Sequence, residues 1–129
     1  MSFPIGMRIP PRIGKEGINK VAEWAGRSGL DVLDVPKLTS EVKQICEENG
    51  LKIGTVDAVK MGELLSRNEE RRSAAVEGMK KQVREMAELD VRTMFMCLVP
   101  EDMTQSREES FAIWKETFPD LVDFAEQAG

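Results

Sequence analysis

The stretch KEGINKVAEWAGRSGLDVLDVP, residues 15–36, contains a helix signal followed directly by a strand signal. In its first part, apolar residues recur at helical spacing: Ile18, Val21, Ala22 and Ala25. Gly29 then supplies the residue type at which helices commonly end. The segment LDVLDVP, residues 30–36, is rich in Val and Leu and is stopped by Pro36, which predicts a short strand. A helix that leads straight into a strand is typical of alternating α/β folds.

The same alternation extends in both directions along the chain. We predict strands over residues 3–10, 30–36, 51–59 and 91–100. We predict helices over residues 15–29, 39–50, about 66–89 and 106–129. Strand and helix thus alternate four times, which predicts an α/β fold with a parallel sheet and right-handed crossovers.

Three helices show a capping signal at their start. Thr39-Ser40 precedes the second helix, and an acidic residue lies in its first turn. The third and fourth helices begin with a capping-box pattern, a Ser followed three residues later by a Glu. We therefore place their starts at Ser66, with Glu69, and at Ser106, with Glu109.

Apolar patterning gives specific expectations for burial. The run VRTMFMCLVP, residues 91–100, is nearly continuous and fits a strand that is buried on both faces. The final helix should bury one side and should kink or restart at Pro119. That inner side comprises Phe111, Trp114, Phe118, Leu121, Val122 and Ala125. We also expect Trp24, like Trp114, to lie in the core.

Composition argues against several classes of partner. The net charge is −5 and the pI about 4.9, whereas a nucleic-acid surface needs clustered Lys and Arg. No apolar run approaches about 18 residues, so we predict no membrane partner. Cys46 and Cys97 are read as two reduced, buried thiols of a cytoplasmic protein. Neither GxGxxG nor GxxxxGK[ST] occurs, so a nucleotide site lacks its fingerprint.

Two architectures share this pattern. A doubly wound open sheet would be complete in 129 residues, whereas a (β/α)8 barrel needs ~250 residues. The chain ends DLVDFAEQAG, residues 120–129, which reads as the last turns of a fourth helix. If the fold is a (β/α)8 barrel, the chain is half a barrel.

The details resemble the sugar phosphate isomerase/epimerase family of xylose-isomerase-like barrels. GMRIPP followed by residues 15–36 is similar to the opening of that family, and Gly29–Val35 is similar to its second strand. Asp34 stands in an acidic slot where Glu is more usual, and Leu89-Asp90 replaces the usual Leu-Gly. The resemblance covers essentially all 129 residues. It implies that residues 1–129 form one (β/α)4 unit, the N-terminal half of a TIM barrel.

The resemblance also implies a chemistry. Family members use a divalent metal, Mn²⁺, Mg²⁺ or Zn²⁺, to hold sugar oxygens while carboxylates move protons or a hydride shifts. The ligands lie on strands five to eight, so we expect them beyond Gly129. We therefore assign no cofactor, metal ligand or catalytic residue to this chain and expect it to be inactive alone. The absence of histidine speaks against the related endonuclease IV type, whose metal cluster uses His within this half.

What remains for this half is contact with a carbohydrate substrate. Barrel enzymes place functional groups at the carboxyl ends of their strands. Four charged residues follow or end the predicted strands and are our candidate substrate-binding residues: Arg8, Asp34, Asp57 and Glu101. Each also has a structural interpretation, since Arg8 could form an ion pair across the barrel and Glu101 could be solvated.

Two other functions stay open at this point. A stand-alone half barrel could act as a binding or assembly module, and two copies could close into a homodimer. A small doubly wound binding domain would instead need ligand groups at a switch point between strand ends.

Overall fold

The computed structural model describes residues 3–129. The chain divides into two compact units. Of the described residues, the sheet unit comprises 3–57 and 89–95, and the helical unit comprises 58–88 and 96–129. In the sheet unit the elements are β1 (Gly6–Arg8), α1 (Pro11–Gly14), α2 (Ile18–Arg27), β2 (Val32–Val35), α3 (Ser40–Glu48), β3 (Lys52–Asp57) and β4 (Met94–Phe95). The helical unit contains a 3-10 turn (Glu63–Leu65), α4 (Glu69–Glu88) and α5 (Arg107–Ala128).

The four strands form one parallel sheet in the order β1-β2-β3-β4. The α/β fold with a parallel sheet is therefore confirmed. Each strand pairs with the next one along the chain, and the order never reverses within the sheet. A doubly wound sheet requires such a reversal, and its ligand site lies there. The strand order therefore favours the barrel architecture over the doubly wound one.

The core of the sheet unit follows the predicted patterns closely. α2 buries Val21, Ala22 and Ala25, and β2 buries Leu33 and Val35. The prediction for Trp24 was wrong, because its side chain is exposed. Trp24 lies between Ala22 and Ala25 along the chain, but one residue advances a helix by about 100°, which turns Trp24 away from the buried side.

The start of α4 differs from the predicted one. The Oδ1 of Asn68 accepts the amide of Arg71 at 3.0 Å, so Asn68 caps this helix. Ser66 instead accepts the amide of Asn68 at 3.2 Å and ends the 3-10 turn. The predicted capping box at Ser66 was therefore wrong by two residues. Two other predicted caps are confirmed, since Thr39 accepts the amide of Val42 at 3.1 Å and Ser106 accepts the amide of Glu109 at 3.1 Å.

β4 is far shorter than the predicted strand over 91–100, and it is not buried on both faces. Within the described residues β4 pairs only with β3, so it is an edge strand. Phe95 and, further on, Cys97 and Val99 are exposed. The prediction of two buried thiols thus holds for Cys46 and is wrong for Cys97.

α5 runs through Pro119 as a single helix, so it does not restart there. The prediction that its apolar side is buried was largely wrong. Of the six residues on that side only Leu121 is buried, and Phe111, Trp114 and Val122 are exposed. In residues 3–129, no helix combines the length and apolar character needed to cross a membrane.

Candidate functional site

The carboxyl ends of parallel strands lie at the same edge of a sheet, and charged and aromatic residues occur there. Arg8 is the last residue of β1, Asp57 the last of β3 and Phe95 the last of β4. In the strand register, Arg8 lies opposite Asp34 of β2, and Asp57 lies opposite Phe95. Three of the four predicted substrate-binding residues are therefore near one end of the sheet.

Arg8 and Asp57 form an ion pair that spans β2. The Nη2 of Arg8 lies 2.6 Å from the Oδ2 of Asp57. The Arg8 side chain is 49% exposed, whereas that of Asp57 is 19% exposed. Asp57 is thus the more buried partner and holds a guanidinium that remains accessible to solvent. Arginine presents its donors in a planar fork, so other donors of Arg8 can serve a ligand.

Phe95 completes this group. The guanidinium carbon of Arg8 lies 4.4 Å from the centroid of the Phe95 ring, within the range of a cation–π contact. The ring and the ion pair together restrict the orientation of the guanidinium. We call Arg8, Asp57 and Phe95 the strand-end cluster. Phe95 is not among the residues predicted from the sequence, because the predicted strand ends at Pro100. An aromatic residue in an apolar run carries no sign that the strand stops there.

Asp34 has a different role within the sheet. The pairing of β2 with β3 is irregular, since Leu33 pairs with Ile53 but Val35 pairs with Val56. β3 therefore has one more residue than β2 across this interval, and a bulge of this kind disturbs the ladder of backbone hydrogen bonds. The Oδ1 of Asp34 accepts the amide of Thr55 at 2.9 Å. Arg8 pairs with Asp57 rather than with Asp34.

Gly54 makes room for this arrangement. A Cβ on Gly54 would lie 2.6 Å from the Oδ1 of Asp34 and 2.5 Å from the Cγ1 of Val32. The glycine therefore permits the Asp34 carboxylate to lie against β3 and to reach the Thr55 amide. Its signal in the sequence was a glycine inside a predicted strand, which often marks a bulge.

Glu101 lies in the helical unit. Its Oε2 is 2.7 Å from the Nη2 of Arg71, and both side chains are about half exposed. A Cβ on Gly62 would lie 3.1 Å from the Cγ of Glu101, so this glycine leaves room for the Glu101 side chain. The ion pair ties the segment after β4 to the first turn of α4.

A second group of charges in the helical unit surrounds Arg67. Its Nε and Nη2 bind the two carboxylate oxygens of Glu109 at 2.6 and 2.8 Å, and its Nη1 contacts Asp102. The hydrogen bonds from Arg67 lower the pKa of Glu109. The pKa of Asp102 is lowered first by the hydroxyl of Thr104, then by the Thr104 amide and by the charge of Arg67. We call Arg67, Asp102, Thr104 and Glu109 the Arg67 cluster.

The described residues do not fit a metal centre. Among residues 3–129, no three side chains of His, Cys, Asp or Glu are grouped so that they could hold a metal ion. Carboxylates at this end of the sheet are engaged by Arg8 and by the Thr55 amide. We therefore derive no step of a reaction through a metal bound by these residues.

The fold and the family model define the class of protein. The model of the xylose isomerase-like TIM barrel family matches residues 13–129, and the chain belongs to that family. The four parallel strands and their helices correspond to half of a TIM barrel. No curated protein matches the sequence.

Several solved structures share this fold. One is a D-psicose 3-epimerase crystallised in the presence of D-fructose, with a TM-score of 0.74 and 15% identity. The match covers 98% of this chain and 50% of the epimerase. A sugar phosphate isomerase/epimerase from Parabacteroides distasonis gives 0.75 and 16%, with 98% and 48% covered. The 3-keto-D-glucoside 4-epimerase of E. coli gives 0.74 and 20%, with 99% and 54% covered. The chain thus spans about half the length of the structures that it matches.

Proposed function

We propose that this chain is the N-terminal half of a metal-dependent sugar isomerase or epimerase and that residues 1–129 form one (β/α)4 unit. The observation that carries the proposal is the strand-end cluster. It lies at the end of the sheet where barrel enzymes bind substrates, in a chain that corresponds to half of several sugar epimerases. We also propose that the protein is cytoplasmic and acts in carbohydrate metabolism. In this proposal it binds neither nucleic acid nor membranes.

The cluster would bind the sugar rather than transform it. Arg8 offers N–H donors to hydroxyl oxygens, and Asp57 keeps its guanidinium in place. The ring of Phe95 offers an apolar face of the kind that packs against the C–H groups of a carbohydrate. Asp34 and Glu101 remain predicted substrate contacts, although each already binds a group of the protein.

The charge of the cluster favours contact with uncharged groups of a sugar. Arg8 and Asp57 neutralise each other, and Asp34 adds a further negative charge to the same end of the sheet. A phosphate group needs excess positive charge or a set of backbone amides, and a balanced ion pair supplies neither. We therefore propose that the cluster contacts hydroxyl groups of a ketose and not a phosphate group.

The chemical step would depend on residues outside this chain. Metal ligands and catalytic carboxylates are proposed to lie on later strands, beyond Gly129, as the family resemblance implies. The role of residues 1–129 is to position the sugar and to exclude water from one side of it. The chain alone should therefore be inactive.

The test compares the 129-residue chain with a longer one. The reading frame is followed past the Gly129 codon, and both proteins are incubated with D-fructose, D-psicose or D-tagatose and Mn²⁺. NMR of the sugar pool should show isomer interconversion by the longer protein only. Turnover by the 129-residue chain, or no turnover of any ketose or ketose phosphate by the longer protein, would contradict the proposal.

Matched arginine variants of the longer protein test the cluster. Arg8→Ala removes charged hydrogen bonds to the substrate and should lower kcat/KM by about tenfold or more. Arg27→Ala removes an exposed arginine from the last turn of α2, which leads to the amino end of β2, and should leave kcat/KM unchanged. Equal effects of the two variants would show that the strand-end cluster does not bind the sugar.

The sheet edges favour a second candidate, a homodimer of half barrels. Within residues 3–129, β1 pairs only with β2 and β4 pairs only with β3, so both outer strands have an open edge. Open edges are sites of pairing with another chain. Light scattering of the 129-residue chain would then give twice the 14.5 kDa mass, whereas the half-barrel enzyme proposal predicts no stable dimer.

A further inference from the structure

α5 carries a row of exposed aromatic rings. Phe111 and Trp114 stack with centroids 5.5 Å apart and planes 9° apart, and Trp114 and Phe118 follow at 5.5 Å and 29°. Val122 continues the row one turn further. We call Phe111, Trp114, Phe118 and Val122 the aromatic row. Phe111 is 52% exposed, Trp114 37% and Val122 50%.

The opposite side of α5 already has a partner. Asp120 binds the Nζ of Lys80 on α4 at 2.8 Å. The ring of Phe124 lies under Lys80 and Arg84, also on α4, at 5.6 and 4.8 Å. Because a helix turns about 100° per residue, Asp120 and Phe124 point roughly opposite to Phe118 and Val122. The aromatic row is therefore the side of α5 that α4 does not cover.

Such a row is costly to leave in water. Contiguous exposed apolar patches commonly mark sites of association, whereas single exposed residues do not. A hollow of about 260 Å³ lies beside the row, lined by Leu65, Leu98, Arg107, Ser110, Phe111 and Trp114. This hollow is shallow and mainly apolar, so an apolar side chain can pack in it. Two basic side chains lie at this end of the row: Arg107 at the rim of the hollow, and Lys115, whose Nζ lies 4.5 Å from the centroid of Phe111.

We infer that the aromatic row is the docking surface for the first amphipathic helix of the polypeptide that follows Gly129. This inference rests on the proposed function, in which a second half of similar length completes the barrel. In a (β/α)8 barrel the helices form a ring, so a helix flanked on one side by its predecessor is flanked on the other by its successor. The docking helix should present aliphatic residues at i, i+3 or i+4 and i+7, and a carboxylate opposite Arg107 and Lys115.

The test places the same substitution in two contexts. Val122→Glu is introduced into the 129-residue chain and into the protein extended through the codons after Gly129. Val122 is exposed in the former and would be covered in the latter, where a buried unpaired charge is strongly unfavourable. We expect Tm to fall by about 5 °C or more in the extended protein and to change little in the 129-residue chain.

Ala112→Glu is the matched control. It introduces the same charge on α5, at an exposed position off the aromatic row, and should change neither protein. Trp24→Phe leaves Trp114 as the single tryptophan and gives a second readout that does not depend on the stability of a variant. The fluorescence emission of Trp114 should lie at shorter wavelength in the extended protein than in the 129-residue chain.

Three results would overturn the inference. The first is an equal effect of Val122→Glu in both contexts together with unchanged Trp114 emission. The second is a homodimeric 129-residue chain that Val122→Glu converts to monomers, because the row would then bind a second copy. The third is a stop codon after Gly129, which removes the docking helix. Activity is read separately: an extended protein that covers the row but converts no sugar would contradict the proposed function alone.

Discussion

The sheet unit and the helical unit differ in the contacts that hold their elements together. In the sheet unit, small residues bring elements into close contact around buried aliphatic side chains. In the helical unit, α4, α5 and the segment after β4 are joined by ion pairs through Arg67, Arg71 and Lys80. The helical unit also leaves the aromatic row uncovered. The helical unit has a buried apolar core as well, which includes Leu64, Met79 and Leu121, so the difference lies in the close approaches of backbone at glycine in the sheet unit and in the surface ion pairs of the helical unit.

Steric fit in the sheet unit is clearest at Gly26. This residue lies inside α2, and a Cβ there would collide with the backbone oxygen of Asn49 at the end of α3. A backbone carbonyl cannot rotate away as a side chain can. Gly78 also lies inside a helix, α4 of the helical unit, but a Cβ there would meet only the Cγ2 of Val59 at 3.9 Å.

Alanine at these two glycines should therefore have opposite effects, and we expect this to be the largest contrast between the units. Gly26→Ala should lower the free energy of unfolding by about 1–3 kcal/mol through overpacking. Gly78→Ala should raise it by about 0.5–1 kcal/mol, since glycine is unfavourable in a helix that has room for alanine. Urea unfolding with a shared m-value measures both. Stabilisation by both variants would remove steric fit as the distinction between the units.

Substitutions at the start of α4, in the helical unit, should change the free energy of unfolding by a smaller amount. Asn68→Ala should cost about 1 kcal/mol, because the amide of Arg71 loses its acceptor at the end of a long helix. Ser66→Ala removes only the contact with the Asn68 amide and should stay within about 0.5 kcal/mol. Hydrogen exchange at the Arg71 amide should quicken in the first variant alone. A larger cost at Ser66 would restore the capping box read from the sequence.

The elements that could be predicted are those with redundant local signals. The α2–β2 stretch combined periodicity, a terminating glycine and a stopping proline, and three of the four residues of its predicted helical stripe are buried, Val21, Ala22 and Ala25. Trp24 of the same stretch, also expected in the core, is exposed. α5 had equally clear periodicity, yet its apolar side is exposed, because periodicity shows which residues share a face and not whether a partner covers that face. β4 was overextended because an apolar run cannot show where strand pairing ends.

The candidate site shows the same limit. Arg8, Asp34 and Asp57 were selected because they lie at strand ends, and strand ends can be read from a sequence. Two contacts of these residues depend on strand register: the ion pair of Arg8 with Asp57 across β2, and the hydrogen bond of Asp34 with a backbone amide at a bulge. Register follows from contacts between distant segments, to which a single sequence gives no direct access.

The smallest expected effect concerns the charges of the Arg67 cluster, and it separates two causes of a lowered pKa. Arg67→Gln removes the main cause acting on Glu109, so the pKa of Glu109 should rise toward its ordinary range. The pKa of Asp102 should rise less, because the Thr104 hydroxyl at 2.6 Å and the Thr104 amide at 2.9 Å remain. Thr104→Val should do the reverse and act mainly on Asp102. Carboxyl ¹³C shifts followed by NMR between pH 7 and pH 2 measure both residues in each variant.

The sign of the effect on stability follows from the direction of these shifts. Both carboxylates have a folded-state pKa below the unfolded value, so they favour the folded state above the unfolded pKa. That contribution is lost as the pH falls through the lowered folded-state pKa. Arg67→Gln should therefore reduce stability near neutral pH slightly and leave it unchanged at the acid end of the titration. If the pKa of Glu109 stayed low in Arg67→Gln, the hydrogen bonds from Arg67 would not be its main cause, and the Arg67 cluster would not contribute to the difference between the units.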